Sequence, residues 1–301
     1  MEIRDLEYFL ACCQTGSFTA AARQVHIVQS AMSSAIARLE NELGAPLFDR
    51  SVTPVVVTEH GVALRAGAQR ILEAVQATRD EVEAVSGRIR GPVVLGCTLN
   101  TGPFDLAAVL VSLRQQYPGV VVRLRQSPSG SAGNLQAVVD GSMDIALIAG
   151  PRDSAPPERG VVLSPLVSES MVFVCPDGHP LGARTRVTAA DLADETILRF
   201  PLGWGVRAAV DAALGADPSS FEIADYDLML KLVRAGLATT LMPASAVPRD
   251  YPGVRVVPVD DDRLSWNLSA AVSARRRPSA AAAALLRALT ETPARPGKPP
   301  V

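Results

Sequence analysis

Gly16-Ser17-Phe18-Thr19-Ala20-Ala21-Ala22-Arg23-Gln24-Val25-His26-Ile27-Val28-Gln29-Ser30-Ala31-Met32-Ser33-Ser34-Ala35-Ile36 is the stretch that decides the fold of the first sixty residues. Gly16-Ser17 breaks one helical pattern and starts another, because the Ser17 hydroxyl can accept a free N–H from the first turn of the Ala-rich run Phe18 to Val25. The turn His26-Ile27-Val28 then leads into a further helix starting near Gln29. Upstream, Leu6, Phe9, Leu10 and Cys13 fall at i, i+3, i+4 and i+7, a single core-facing stripe. In the later helix Met32, Ile36, Leu39 and Leu43 are expected to face inward. That leaves Ser30, Ser33, Ser34, Ala37 and Asn41 outward, small enough to let backbone approach base edges, with Gln29 as an amide reader at the amino end. The reading is a helix-turn-helix; an ordinary solvated serine face is the plainer alternative.

The segments Ile3-Arg4-Asp5-Leu6-Glu7-Tyr8-Phe9, Gly16 to Ala22, Gln29 to Ser33, Ile36-Ala37-Arg38-Leu39-Glu40, Leu43-Gly44, Leu47-Phe48-Asp49-Arg50 and Val57-Thr58-Glu59-His60-Gly61 follow one another at a characteristic spacing. In that order and spacing the chain resembles LysR-type transcriptional regulators. The resemblance implies an α+β multidomain protein: a winged helix-turn-helix DNA-binding domain over 1–61, a linker and dimerisation helix over 62–90, a two-lobed α/β effector-binding domain over 91–290 similar to periplasmic solute-binding proteins, and a disordered tail over 291–301. It also implies DNA contacts from Gln29, Ser30, Ser33, Ser34 and Arg38, with Arg50 reaching phosphate from the start of the strand pair. Two positions depart from the family pattern. Val28 stands where the family usually has a capping Ser or Thr, at a cost of about 1 kcal/mol. The wing carries Thr53-Pro54 and Val55-Val56-Val57 where basic residues are usual.

At 301 residues and 48% hydrophobic content the chain has material for more than one core. No apolar run reaches the length of a membrane span, and acidic Glu2 and Asp5 stand where a secretion signal would be basic, so a cytoplasmic protein is expected. The four cysteines and three histidines show no metal-ligand spacing, and no cofactor is implied. Up to Arg65 there are five basic residues against seven acidic ones, a formal balance of −2. Phosphate neutralisation supplies much of nucleic-acid affinity, so one copy of this domain should bind DNA weakly and several coupled half-sites are required.

The coupling device is legible further on. Leu64, Ala68, Ile71, Val75, Thr78, Val82, Val85 and Ile89 alternate spacings of four and three, a coiled-coil seam. One amphipathic helix packed on its own domain is the alternative, and the resemblance favours a dimerisation helix.

After Gly91-Pro92 short β-rich runs alternate with helical stretches, as in a parallel α/β sheet. Strands are expected over Val93 to Cys97, Val120 to Arg125 and Asp144 to Ala149, with helices over Phe104 to Gln116 and Ala132 to Asp140 between them. A second group follows: Met171 to Val174, Thr196 to Phe200, a helix after Gly205, Phe221 to Ala224, a helix over Leu228 to Ala235, and Ala238 to Met242. Ala155-Pro156-Pro157 lies near a crossover, the chain returns to the first lobe around Trp266 to Val272, and an Ala/Leu helix runs from Ser279 to Leu289.

Within the resemblance, an effector sits between the lobes. Thr98, Asn100 and Thr101 precede a helix expected near Phe104, and a helix start attracts anions. Ser129 and Ser131 come from the next strand-to-helix turn, and Gly203, Trp204 and Arg207 from the corresponding turn of the second lobe. Arg207 could pair with a carboxylate, so a small organic anion is the expected effector. Simple capping is the alternative for each hydroxyl. Cys97, without a neighbouring cysteine, reads as a small buried hydrophobe rather than a redox sensor, and His179, Asp225 and Asp227 assemble no catalytic group.

The expected function is a ligand-responsive regulator of transcription, not an enzyme, with promoter DNA, a small effector, further copies of itself as homodimer or homotetramer, and RNA polymerase as partners. A solute-binding protein with no DNA role is the rival.

Overall fold

A computed structural model describes residues 1–52, 54–85, 89–151, 160–217 and 221–292. Thr53 of the wing, the Ala155-Pro156-Pro157 segment and the tail expected over 291–301, apart from Glu291, which ends the last helix, and Thr292, lie outside the described residues. The chain divides into two compact units, Met1–Val82 and Glu83–Val301.

In the first unit α1 (Ile3–Thr15), α2 (Phe18–Gln24) and α3 (Gln29–Leu43) are followed by a two-stranded ribbon, β1 (Phe48–Asp49) and β2 (Val56–Val57), and by α4 (Glu59–Val85). The ribbon is antiparallel, with Phe48 opposite Val57 and Asp49 opposite Val56. Gly16 ends α1 in the left-handed region (φ +61°), a conformation that suits glycine. Ser17 caps α2 by accepting the Ala20 N–H, whereas Val28 starts α3 with no side-chain cap. The core is Leu6, Phe9, Met32, Ile36, Leu39, Leu47 and Phe48, joined from α4 by buried Ala68. Leu43 does not belong to it: as the last residue of α3 it is 44% exposed, while Ala35 is buried.

In the second unit β3 (Arg90–Gly96), α5 (Leu106–Gln116), β4 (Gly119–Arg125), α6 (Gly130–Asp140) and β5 (Ile145–Gly150) form the first lobe's βαβαβ run. β3 pairs in parallel with both β4 and β5. The long β6 (Val161–Pro176) leaves this lobe. β7 (Ile197–Leu198), α7 (Gly205–Leu214), α8 (Tyr226–Arg234), β8 (Thr239–Pro243) and β9 (Val254–Pro258) build the second lobe around the last part of β6. β10 (Ser265–Ser273) returns antiparallel between β5 and β6, giving the strand order β4-β3-β5-β10-β6-β8-β7. α9 (Ala280–Glu291) closes the first lobe, capped by Ser279.

Several sequence expectations shift. β6 is a strand of 16 residues, of which only Met171 to Val174 were legible. Their burial is continuous, while upstream residues alternate irregularly between half-buried and exposed. β9 was not anticipated. Phe221 to Ala224 is no strand: it makes one isolated bridge, Arg199 with Glu222. Ile89 lies beyond α4 and packs, half-buried, on the core of the second unit, so it is not a member of the seam.

Candidate functional site: a recognition helix and an interlobe cavity

On α3, Gln29, Ser30 and Ser34 are exposed and Ser33 is half-buried. Gln29 Nε2 donates to Ser33 Oγ at 2.9 Å, one turn along the same face, which holds the amide over the first turn of the helix. Arg38, on the same helix, bonds through Nη2 to Asp5 Oδ1, and Asp5 is itself buried on α1. Arg50 bonds to Glu40 Oε2 at 2.7 Å and lies 5.0 Å over the Phe18 ring. Glu40 Oε1 meanwhile accepts the Leu47 and Phe48 N–H groups. Both arginines thus brace the helices and the ribbon, although about half of each side chain remains open to solvent. The ribbon presents Asp49, Ser51 and exposed Val52 and Val56. The Asp49 carboxyl, held below its ordinary range by bonds from the Ser51 hydroxyl and N–H, adds negative charge there.

In the effector unit the three turns singled out from sequence do come together, on a void of about 20 Å3 lined by Thr98, Asn100, Gly130, Ser131, Trp204 and Tyr226 among others. That volume holds about one water. The hydroxyls of the first turn are engaged locally. Thr98 Oγ1 donates to the Asn100 carbonyl and Thr101 Oγ1 to the Phe104 carbonyl, while the Asn100 amide reaches Ser245 Oγ and accepts the Gly102 N–H. The helix after this turn begins at Leu106, not Phe104, and the Asp105 carboxylate caps it by accepting the Ala108 N–H. An anion site at that helix start is therefore corrected: a carboxylate of the chain already occupies it.

Arg207 is also corrected as a ligand cation. It lines neither this void nor the larger cavity. It is 5% exposed, with Nε on Asp211 at 2.6 Å and Nη1 on Glu222 at 2.9 Å and on the Phe200 carbonyl at 3.1 Å. Buried Arg199 bonds the other oxygen of Asp211 and the Gly215 carbonyl. The four charges fasten β7 and the following loop to α7.

The larger cavity, about 510 Å3, lies where the first turn of α7 meets α6 and the sheet of the first lobe. Ser131, Gly203 and Trp204 line it; Thr98, Asn100, Thr101 and Ser129 do not. The approach of the lobes is close. The Ala132 N–H donates to the Gly203 carbonyl at 3.0 Å. A Cβ on Gly205 would stand 1.9 Å from the Ala149 carbonyl oxygen, and one on Gly130 would stand 2.8 Å from the Trp204 indole. Both glycines are needed for contact. Ser131 Oγ accepts the Ala149 N–H at 3.0 Å, tying α6 to β5. Asn134, buried in the middle of α6, donates to the Cys97 and Leu147 carbonyls and accepts the Ser127 N–H, so one amide joins β3, β5 and the loop before α6. Sequence reading missed Asn134, Gly205 and the β10 residues Asn267 and Ser269 that complete the cavity.

The four thiols are subdued by burial, which pushes Cys12 up to about 12, Cys13 and Cys175 up to about 11, and Cys97 above its ordinary value. Among the described residues no group of three or more His, Cys, Asp or Glu is placed to hold a metal ion, and no helix is long and apolar enough to cross a membrane.

Residues 3–62 match the family model described as "Bacterial regulatory helix-turn-helix protein, lysR family", and residues 86–294 match "LysR substrate binding domain". A probable hydrogen peroxide-inducible genes activator of Mycobacterium avium is 32% identical over 251 residues, 82% of this chain and 79% of that protein. Full-length OxyR from Pseudomonas aeruginosa, solved as a variant, superposes with a TM-score of 0.72 at 25% identity, covering 98% of this chain and 100% of that one. CbnR in complex with its target DNA superposes with a TM-score of 0.65 at 21% identity, covering 97% and 99%.

Proposed function

The chain belongs to the LysR family of bacterial helix-turn-helix regulators, DNA-binding proteins with a substrate-binding domain, and from that premise we propose how its two units divide the work. The α3 face reads promoter DNA, with Gln29 and the neighbouring serines at base edges and Arg38 and Arg50 adding attraction to phosphate. The effector unit takes a small molecule in the 510 Å3 cavity between its lobes. One observation carries this reading. The cavity is walled by both lobes at their closest approach, the Gly203 and Gly205 turn against α6 and β5, so a ligand there contacts both and biases how they meet.

Because the DNA-binding unit is not basic, affinity has to come from several half-sites held by one assembly. A homodimer through α4, and two dimers in a homotetramer, supply them. Ligand-dependent movement of the lobes then changes the spacing of the DNA-binding units and the bend of the bound promoter. The protein works in the cytoplasm beside RNA polymerase and performs no chemistry on its ligand.

Footprinting of the full chain across its own genome tests the reading. Protected sites of two or more spaced half-sites upstream of genes are expected; binding with no enriched sequence would overturn it.

A further inference from the structure

Among the described residues, the side chains lining the 510 Å3 cavity include no acid and no base. Leu135 and Ile148 of the first lobe, Leu163 and Pro165 of β6, and Trp204 and Ala208 of the second lobe make the apolar walls of an open cavity of ligand-binding size. Its polar groups are few and neutral. Ser131 Oγ accepts a backbone N–H, which leaves its own proton to donate. Asn267 spends its amide N–H groups on the Gly150 carbonyl and Ser265 Oγ, leaving its amide oxygen.

Resting on the reading that this cavity is the effector site, we infer that the effector is an uncharged, largely apolar molecule carrying a hydrogen-bond acceptor, such as an aryl ketone. The acceptor meets the Ser131 hydroxyl. A carboxylate would leave water for a site with no countercharge among the described residues, and the arginine expected to receive it is spent on Asp211 and Glu222.

Three isosteric probes separate the contributions: 2-acetylnaphthalene, 2-naphthoate and 2-ethylnaphthalene, titrated calorimetrically into the full chain. The ketone should bind and raise the melting temperature, with the carboxylate and the hydrocarbon each about tenfold weaker or worse. Ala208→Phe, an exposed α7 position on the cavity wall, should abolish ketone binding without lowering the melting temperature of the free protein, and Ala208→Lys should shift preference toward naphthoate. Tighter binding of naphthoate than of the ketone in the wild-type chain, lost in Ala208→Phe, would overturn the ligand class and leave the cavity as the effector site. Ketone binding undiminished in a folded Ala208→Phe would overturn the site reading itself. No ketone binding up to its solubility limit would overturn the inference.

Discussion

Gln29 and Arg207 show how differently single residues reveal themselves in sequence. Gln29 is exposed at the start of a helix whose other face is core, and its amide donates to Ser33 one turn along. Gln29→Ala should lower specific binding by about 1–3 kcal/mol and relax one position of the site, measured by selection from a randomised operator library. An unchanged selected consensus would remove Gln29 from the reading face. Arg207 is the opposite case. A lone arginine after a strand-to-helix turn reads as a ligand cation, but Asp211 one turn on and Glu222 from a later loop claim it, and the second of those partners is invisible to local spacing. Arg207→Met should therefore leave the ligand preference alone and destabilise the second lobe by about 3 kcal/mol, the low end for breaking a buried pair since Asp211 keeps Arg199. Denaturant unfolding measures it. The hydroxyls of Thr98 and Thr101 misled for a related reason: a group that closes its own turn and a group that awaits a ligand are the same residue type until the carbonyl it meets is known.

At the scale of elements, those with one strong period or a clear cap were legible: α1 to α3, the Ser17 cap and α9. α4 was legible as a helix, yet its stripe serves two purposes. Leu64, Ala68 and Leu72 pack on the core of the first unit, while Ile71, Thr78 and Val82 are exposed, Val82 at 68%. The seam left for a partner helix is the C-terminal half. Val75→Asp with Val82→Asp should dissociate the dimer and abolish operator binding while the effector unit still melts at its own temperature; an unchanged mass in light scattering would show that α4 has been misread. The start of β6 was not legible, whereas that of α7 was, in the helix expected after Gly205. β6 crosses from one lobe to the other, so its burial follows two environments rather than one period. The start of α7 depends on Gly205, whose need for a bare Cα comes from the Ala149 carbonyl of the other lobe. Gly205→Ala should cost about 1–3 kcal/mol, as overpacking does, and weaken any ligand held between the lobes; equal affinity in calorimetry would show that this approach does not shape the cavity.

At the scale of the whole molecule, the relatives named for hydrogen peroxide pose a sharp alternative: a cavity ligand or an oxidised thiol as the signal. Peroxide chemistry needs a thiolate, and burial pushes the Cys13 and Cys175 thiols up to about 11, against that form. Cys12 is more suppressed still, and Cys97, raised by burial too, donates only a long contact to the Leu95 carbonyl and has no cation among the causes of its shift. The cavity is a feature that neither composition nor spacing could have announced, since its walls come from α6, β5, β6, α7 and β10 at once. A variant with all four cysteines replaced by serine should keep both operator binding and the response to a cavity ligand, and hydrogen peroxide should leave the wild-type footprint unchanged. A footprint that shifts with peroxide in the wild-type chain and not in the variant would return the signal to a thiol.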